Sequence, residues 1–374
     1  MNFLNIIISI LTRAGFVNSA AMAEILALAL VGRVNPMLFG PGGHGKSQMV
    51  ERVLSTIIGA LTRTLSCGEG LSEARLFGGL DFKALESEGL ERFHAENSFL
   101  SWDFAVFEEI LDAPSVVLLS LKDTLTSKAL RSGSQLVPMR TQVLLGLTNK
   151  EPGEVAEEGP AVQALMERFP LQLRVAWEDY SAGAFKTLFA AQADKRDSNM
   201  SITFEEIKTL QNKVEGVSIA SRMDALLAQL LAGQIERGVI VSPRTAMFAR
   251  RILATSAVIR GRDHVTEEDF ISLRFLPGCE DIASTIEADI KAAREKSVAQ
   301  DTMAAIEWKI AELDLSSTRP IKLLQAAKIG MEIENQLSGL KVPDELVERR
   351  NGLRTHIAEV IKNAQKRALE YTHN

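Results

Sequence analysis

The chain has 374 residues, of which 46% are hydrophobic and 24% are charged, and its formal net charge at pH 7 is -6. This length predicts two or three domains with sizeable cores, and the acidic balance without a long basic run argues against stable nucleic-acid binding. Two cysteines, Cys67 and Cys279, exclude a disulfide framework and show no zinc-ligand spacing, so we expect a protein of the reducing cytoplasm.

The N-terminal run from Met1 to Leu11 is apolar. It has neither the basic start nor the cleavage signal of a secretory leader, and it is too short to cross a bilayer. We therefore expect a helix that packs on the core, and no membrane span.

A phosphate-binding loop follows the next apolar run, Val34 to Phe39, which predicts a short strand. The loop fits the pattern G-x-x-x-x-G-K-[ST] and reads Gly40-Pro41-Gly42-Gly43-His44-Gly45-Lys46-Ser47. In such a loop the glycines let backbone N–H groups close around the β-phosphate of a nucleotide. Lys46 reaches the β- and γ-phosphate oxygens, and the Ser47 hydroxyl binds Mg2+.

The residues after the loop predict a helix over Gln48 to Ile58, because their apolar positions have helical spacing. The N-terminal N–H groups and the dipole of this helix would face the phosphates. His44 belongs to the same predicted nucleotide-binding set. We favour an exposed ring at a tolerant loop position over a pH-sensing role beside phosphate.

The run Phe104 to Glu109 predicts a buried strand that ends in two acids. In nucleoside triphosphatases one carboxylate at such a strand end serves Mg2+, and the next polarises the attacking water. We assign Mg2+ to Glu108, together with Ser47, and water activation to Glu109. Glu108 stands where Asp is usual, which predicts slower hydrolysis. A surface acid pair at a strand end is the alternative interpretation.

A helix is predicted from Pro114 to Arg131, followed by a polar turn at Ser132-Gly133-Ser134 and a strand from Thr141 to Leu147. This strand leads into Thr148 and Asn149. A polar side chain at the tip of a central strand beside the phosphate loop can bridge the γ-phosphate and the attacking water, so Asn149 is a sensor candidate. A turn-forming Asn is the alternative.

From residue 180 to residue 276 the pattern predicts helices without strands, and therefore a separate helical module. Thr203 and Glu206 form a capping box, and Ser242-Pro243 supplies the N-cap and first residue of another helix. Arg244 then lies in a first helical turn, where a cation opposes the helix dipole and suggests a nearby anion. We interpret Arg244 as a contact to the γ-phosphate; a salt bridge to a neighbouring acid is the alternative.

The end of this module and the tail are also helical by pattern. Thr266 with Asp269 starts the last helix of the module. Four arginines cluster at helical spacing and predict a solvated or subunit-facing surface: Arg250, Arg251, Arg260 and Arg262. Beyond Pro277-Gly278 we expect about three helices, packed as a bundle or a hairpin, with breaks near Ser316 to Pro320 and Lys341 to Pro343.

Several of these segments, taken in order, resemble the MoxR family of AAA+ ATPases. The resemblance covers roughly residues 20 to 275. It is carried by Gly40 to Ser47, Phe104 to Pro114, Thr141 to Asn149, Glu167-Arg168-Phe169 and Ser242-Pro243-Arg244. Leu76 to Asp81 with Glu91 to Leu100 looks like the family's insert within helix 2, and Arg131 to Gln142 looks like its hairpin before the sensor strand.

The resemblance implies an α/β P-loop AAA+ core with an αβα parallel sheet, an all-α lid and a C-terminal helical extension. We place the core with its N-terminal helix at residues 1–177, the lid at 178–277 and the extension at 278–374. ATP and Mg2+ are the implied ligands, bound between neighbouring subunits of a homo-oligomeric ring that is usually a hexamer. Arg168 looks like the finger supplied to the next subunit's γ-phosphate; a charge that favours a helix C-terminus is the alternative.

The sequence departs from the family pattern in three places. Glu108 replaces the usual Asp, Leu111-Asp112 replaces a polar-basic pair after the acids, and Lys150 replaces a Pro after the sensor Asn. These changes affect the expected rate of hydrolysis more than nucleotide binding. They fit a slow or partner-stimulated ATPase.

The resemblance implies that ATP hydrolysis drives remodelling, activation or loading of a partner protein. Family members commonly act with a protein that bears a von Willebrand A domain, so such a protein is the expected client. An ATP-gated ring scaffold with little turnover is the alternative. The acidic balance disfavours a DNA-translocating motor, and no pigment-specific feature supports a chelatase-type motor.

Overall fold

The computed structural model describes residues 1–132, 135–176, 181–193, 200–313, 315–317, 319–342 and 344–371. The predicted turn at Ser132-Gly133-Ser134 lies partly outside these residues, as do the predicted boundary at 177/178 and parts of both predicted tail breaks. The chain divides into two compact units, Met1–Ser284 and Thr285–Asn374. The division into three domains stays a prediction.

The first unit is built on a parallel β-sheet. The described strands of this unit, which include two smaller pairs outside the main sheet, are β1 (Pro36–Phe39), β2 (Ile57–Ile58), β3 (Thr62–Ser66), β4 (Phe104–Glu108), β5 (Ala129–Ser132), β6 (Gln135–Pro138), β7 (Val143–Leu147), β8 (Leu171–Arg174) and β9 (Ile202–Thr203). The main sheet has five strands in the order β3-β4-β7-β1-β8, all parallel. Strands β1 and β7 are buried along their whole length, as expected for strands covered on both faces.

Helices precede, connect and follow these strands. They are α1 (Phe3–Arg13), α2 (Ala20–Gly32), α3 (Lys46–Leu54), α4 (Glu73–Leu76), α5 (Phe82–Glu88), α6 (Ser115–Ser127), α7 (Pro152–Ala156), α8 (Pro160–Met166), α9 (Ala182–Ala193), α10 (Phe204–Glu215), α11 (Ser221–Glu236), α12 (Pro243–Ile259), α13 (Glu280–Ala311), α14 (Pro320–Gly339) and α15 (Asp344–Glu370). Short 3-10 turns separate several of them.

The sheet is covered on both sides, which confirms the predicted αβα arrangement. On one face Phe39, Phe107 and Leu144 join a core that includes residues of α6 and α8. On the other side α2 packs beside β1 and β8. The predicted N-terminal helix is also confirmed, because α1 has fully buried apolar side chains and packs on α2.

The helix after the phosphate loop is shorter than predicted. It ends at Leu54, and Ile57–Ile58 forms strand β2, which pairs in parallel with Ile202–Thr203. The β-branched isoleucines favour this extended conformation. Because the partner strand lies far along the chain, the local spacing of apolar residues could not reveal it, and the predicted end of the helix was wrong. For the same reason the module predicted to be free of strands contains a short one.

The helix predicted from Pro114 to Arg131 is too long at both ends. Pro114 has a non-helical ψ of 144° and precedes α6 instead of belonging to its first turn. Lys128 has a left-handed backbone, which ends the helix, and Ala129–Ser132 then pairs with Gln135–Pro138 as an antiparallel hairpin. This hairpin overlaps the segment Arg131 to Gln142, where the family resemblance implied one, but it begins two residues earlier and ends at Pro138.

The helices after β9 attach to the first helices through a buried polar network. Glu24 of α2 is 4% exposed and accepts hydrogen bonds from Arg260, at 2.6 Å, and from Arg274. Arg262 pairs with the fully buried Asp269 at 2.7 Å. The prediction that the arginine cluster lies on a solvated or subunit-facing surface is therefore wrong for Arg260 and Arg262, because their acidic partners are buried within the fold.

The predicted helix starts are confirmed. Thr203 and Glu206 form a reciprocal capping box at α10, and Ser242 caps α12 by accepting a hydrogen bond from Thr245 N at 3.1 Å. Thr266 and Asp269 form a further capping box, although the segment that follows, Glu267–Phe275, is a 3-10 helix. Arg244 lies in the first turn of α12, as predicted.

The second unit is helical. It contains the later part of α13 together with α14 and α15, in agreement with the three helices predicted for the tail. Apolar residues from all three helices, among them Ile306, Leu337 and Ile357, form one buried cluster. Across the part of the chain that the structure describes, no helix is both long and apolar enough to cross a membrane.

Candidate active site

One cavity of about 320 Å³ lies at the carboxyl ends of the central strands. It brings together most of the predicted nucleotide-binding and catalytic residues. Its lining consists of Gly42, Gly43, His44, Gly45, Lys46, Ser47, Gln48, Ser66, Glu108, Glu109, Leu147, Thr148 and Asn149. Parallel strands β1, β4 and β7 end at the same edge, which is why segments distant in sequence meet here.

The loop before α3 depends on glycine at its first position. Gly40 has a φ of 118°, and a Cβ there would lie 2.3 Å from the carbonyl oxygen of Val175. Gly43 and Gly45 also have positive φ values, 81° and 77°. Because α3 starts at Lys46, directly after the loop, its N-terminus faces the cavity.

Lys46 is a buried cation at the base of the cavity, with 6% of its surface exposed. Its ammonium donates to the carbonyl oxygens of Gly40 and Pro41, the latter at 2.9 Å, and to Oδ1 of Asn149 at 3.3 Å. Burial lowers the pKa of Lys46, and the negative charge of Glu151 offsets part of this effect. Among the described residues its hydrogen-bond acceptors are all neutral groups, which suits an anionic ligand.

Glu109 has a left-handed backbone, with φ at 53°. Such a conformation costs a non-glycine residue about 1–3 kcal/mol and persists only where neighbouring contacts hold it. Its Oε1 accepts a hydrogen bond from Nδ2 of Asn149 at 3.2 Å. Asn149 therefore connects Lys46 to Glu109 in one chain of hydrogen bonds. The left-handed turn is not visible in the sequence, which predicted the strand to run through Glu109.

Glu108 ends β4 and lies opposite Ser66 of β3 in the parallel register. Glu108 and Ser47 also border a second cavity of about 580 Å³ next to the first. A hydroxyl and a carboxylate are the oxygen ligands that Mg2+ prefers, so these two residues fit the predicted metal. Ser66 was missed by sequence reasoning, although a polar residue at the end of a strand is a signal that could have found it.

His44 is half-buried rather than exposed, so that part of the prediction is wrong. Its Nδ1 lies 3.4 Å from the carbonyl oxygen of Val175, at the end of β8. The ring therefore lies between the phosphate loop and the neighbouring strand end while still lining the cavity.

Two of the residues that depart from the family pattern meet beside the cavity. Lys150 Nζ lies 3.3 Å from Oδ1 of Asp112 and 2.5 Å from Oε1 of Glu158. The hydrogen bond that Lys150 donates to Glu158 raises the pKa of Lys150; burial opposes this effect, and the hydrogen bond donated to Asp112 adds to it. The ammonium is therefore charged at neutral pH.

Arg168 and Arg244 do not line the cavity that contains Lys46. They border a separate cavity of about 640 Å³ between α8 and the start of α12. Glu167 Oε2 lies 2.6 Å from Arg168 Nη1 and 3.5 Å from Arg244 Nη1. Arg168 also donates from Nε to Thr126 Oγ1 at 2.9 Å, and its side chain is only 14% exposed.

The sheet order, the loop after β1 and the polar groups at the tips of β4 and β7 define the core of a P-loop ATPase of the AAA+ class. The chain is similar to a crystal structure of a protein from Cytophaga hutchinsonii described as a candidate ATPase, with a TM-score of 0.58 and 17% identity over 76% of this chain and 94% of that one. At this identity the likeness shows the fold. Residues 4–212 match the family model described as the MoxR domain in the MoxR-vWA-beta-propeller ternary systems, and the chain belongs to this MoxR family of AAA+ ATPases.

Proposed function

We propose that the chain binds and hydrolyses ATP in the cavity around Lys46, as one subunit of a ring, and that hydrolysis remodels, activates or loads a partner protein. The observation that carries this proposal is the hydrogen-bonded chain from Lys46 through Asn149 to Glu109. It joins the group suited to phosphate with the group suited to activating water, at the strand edge where α/β proteins bind ligands.

The phosphate loop, Gly40 to Ser47, binds the phosphates in this proposal. Backbone N–H groups of the loop and of the first turn of α3 face the nucleotide, and Lys46 exchanges its neutral acceptors for phosphate oxygens. Ser47 and Glu108 hold Mg2+, which neutralises charge on the β- and γ-phosphates when it is bound. His44 contributes to the wall of the site.

Glu109 and Asn149 act on the attacking water. The Glu109 carboxylate accepts the water's proton or polarises its O–H bond, and Nδ2 of Asn149 is a donor for the γ-phosphate or the water. In the structure these two groups bind each other. Productive hydrolysis requires that this hydrogen bond be exchanged for contacts with the water and the phosphate.

Arg168 and Arg244 serve the site of a neighbouring copy in this proposal. Both lie in a cavity separate from that of Lys46, and both are within 3.5 Å of the same carboxylate, Glu167. This placement supports a role in trans for Arg244 as well as for Arg168, whereas the sequence had suggested that Arg244 contacts the γ-phosphate in cis, in the site of its own subunit. A nucleotide phosphate from the neighbour competes with Glu167 for the two guanidinium groups.

A homo-hexamer with ATP between subunits is the assembly we propose, with a core at 1–177, a lid at 178–277 and an extension at 278–374. The family's description names a von Willebrand A component, which supports such a protein as the client. Cys67 and Cys279, both within the described residues, are buried and reduced, as is usual for a protein of the expected cytoplasmic location.

An ATP-gated scaffold with little turnover is the second candidate. It is favoured by Glu108 at the position where an Asp is usual, and by the engagement of Glu109 with Asn149. A scaffold of this kind would form an oligomer when it binds ATP. Its rate of phosphate release would be no higher than its rate of nucleotide exchange.

The test combines two measurements on the purified full-length chain with ATP and Mg2+: the mass of the assembly and the rate of phosphate release. The proposal expects an ATP-dependent oligomer and phosphate release, both lost in Lys46→Ala. A monomer whose phosphate release equals that of Lys46→Ala would contradict the ATPase proposal. An ATP-dependent oligomer with negligible release would favour the scaffold.

A further inference from the structure

The ion pair between Lys150 and Asp112 joins the two loops that carry the proposed catalytic groups. Lys150 follows Asn149 directly, and Asp112 lies three residues after Glu109. Lys150 Nζ is 3.3 Å from Asp112 Oδ1, while Asn149 Nδ2 is 3.2 Å from Glu109 Oε1. Two parallel contacts therefore connect the tip of β7 to the tip of β4.

Both ends of this pair are fixed by the main chain. The carbonyl oxygen of Lys150 accepts a hydrogen bond from Gly40 N at 3.3 Å, which ties it to the phosphate loop. Asp112 closes a 3-10 turn by donating from its N–H to the carbonyl oxygen of Glu109 at 3.0 Å. A movement of either charged side chain is thus transmitted to the loop or to the turn.

Glu109 needs such support because its backbone is in the left-handed region. Asp112 is moreover one of three carboxylates that converge here. All three carboxylates act on the nearby Cys67 thiol. Burial is the main cause that raises the pKa of this thiol to about 12; the charge of Arg75 opposes the rise, and the negative charges of Asp112, Glu108 and Glu109 each add to it. Without Lys150, a third negative charge would stand unpaired beside the two proposed active-site acids.

We propose, resting on the function proposed above, that Lys150 and Asp112 are positioning residues: their ion pair holds the backbone segments that carry Asn149 and Glu109 side by side, so that both side chains stay within reach of the attacking water. Neither residue lines the cavity around Lys46. Lys150 and Asp112 occupy positions where the family pattern has a Pro and a basic residue, so the two departures act together as one pair. Glu158 holds the Lys150 ammonium from the other side, at 2.5 Å.

If Lys150 and Asp112 formed only an ordinary surface ion pair, their loss would not lower the rate of ATP hydrolysis. Lys150 is 30% exposed and Asp112 is 41% exposed, and pairs of this kind contribute little to stability. Loss of the pair should therefore leave folding and ATP binding nearly unchanged. Only a positioning role lowers the turnover at saturating ATP.

The experiment measures kcat for phosphate release and the Kd for ATP in Lys150→Met, in Asp112→Asn and in the double variant. We expect kcat to fall about tenfold in each single variant, within the range for misplaced catalytic groups, and the Kd to change less than about twofold. The double variant should lose no more than the worse single one, because both remove the same contact. Lys150→Arg, which keeps the charge, should retain most of the activity.

Lys208→Met is the matched control, because Lys208 forms an ion pair with Glu205 at 2.7 Å outside the site. It should behave as the wild type. The inference is overturned if the single variants keep wild-type kcat, if their losses multiply in the double variant, or if ATP affinity falls as much as kcat. Wild-type turnover no greater than that of Lys46→Ala would overturn the proposed function and the inference with it.

Discussion

Asn149 and Glu109 are joined by a hydrogen bond of 3.2 Å, from Nδ2 of the amide to Oε1 of the carboxylate. The other amide atom, Oδ1, accepts from Lys46 at 3.3 Å. One side chain therefore contacts both the proposed phosphate-binding cation and the proposed base. The amide is suited to this because it offers a donor and an acceptor on the same planar group.

Replacement of Asn149 by Asp keeps the shape of the side chain and removes the donor. A carboxylate would then face Glu109 at hydrogen-bond distance and bind Lys46 more strongly. We predict that Asn149→Asp lowers kcat by about 10²-fold or more, as expected for the loss of a donor aimed at developing charge. Phosphate release at saturating ATP measures this. The exposed Asn335→Asp is the control and should keep wild-type turnover; equal rates in the two variants would refute the role of Asn149.

Replacement of Gly40 by Ala tests the geometry of the loop. The added Cβ would meet the Val175 carbonyl oxygen at 2.3 Å on a backbone with a φ of 118°. At Gly43 the φ is 81°, but an added Cβ would meet no neighbouring atom within 4 Å. At Gly68 the φ is not positive, and an added Cβ would again meet nothing. We predict that destabilisation increases in the order Gly68→Ala, Gly43→Ala, Gly40→Ala, with about 2 kcal/mol or more for Gly40→Ala.

Urea unfolding measures this order, and ATP titration should show that Gly40→Ala also weakens nucleotide binding. A Gly40→Ala variant as stable as Gly68→Ala would show that the loop does not pack on Val175 as described.

The network around Glu24 should dominate the attachment of α2 to the helices that follow β9. Glu24 is almost fully buried and contacts Arg260, Arg274 and Ser272. Glu24→Gln leaves two half-buried arginines without their carboxylate at a buried position, and we predict a loss of about 3 kcal/mol or more in the free energy of unfolding. The exposed Glu205→Gln is the control and should change it by less than about 0.5 kcal/mol.

The same network predicts a pH dependence. Burial raises the pKa of Glu24, but Arg260, Arg274 and the hydrogen bonds outweigh it, so the folded-state pKa lies below the ordinary value of 4.5. The stabilisation is therefore fully present above that value and is lost as the pH falls through the folded-state pKa. Between about pH 5 and pH 3 the wild type should lose stability more steeply than Glu24→Gln. Parallel slopes in urea unfolding would contradict this.

Mixing two inactive variants tests whether Arg168 acts on a neighbouring copy. Lys46→Ala subunits keep Arg168, and Arg168→Ala subunits keep Lys46, so one kind of interface in the mixture has both groups. We predict that an equal mixture recovers up to about a quarter of wild-type phosphate release, although each variant alone is inactive. No recovery in a mixture shown to co-assemble would place Arg168 outside the neighbour's site.

Local patterns predicted the parts of the site that lie along one stretch of chain. The loop from Gly40 to Ser47 follows an apolar strand, and so do the two acids at the end of β4 and Asn149 after β7. Because the carboxyl ends of parallel strands lie at the same edge of a sheet, the sequence alone predicts that these groups meet. The αβα class was predicted for the same reason. Helix starts such as Ser242 and Thr203 were also predictable, because a capping side chain and the backbone N–H that donates to it are close in sequence.

Contacts between distant segments were not predictable. Ile57–Ile58 forms a strand only because Ile202–Thr203 pairs with it. Arg260 is drawn into the fold by Glu24, which lies opposite, and Arg244 lies beside Glu167 rather than at the Lys46 cavity. The left-handed backbone of Glu109 likewise depends on the neighbouring loops. A single sequence records none of these pairings.

The most direct test of the central claim is phosphate release by Glu109→Gln, measured with the ATP affinity of the same variant. Glu109→Gln keeps the shape of the side chain and the contact to Asn149 but removes the base. The account predicts ATP binding within about twofold of the wild type, with phosphate release reduced about 10²-fold or more. Wild-type release from Glu109→Gln, with ATP bound normally, would contradict it.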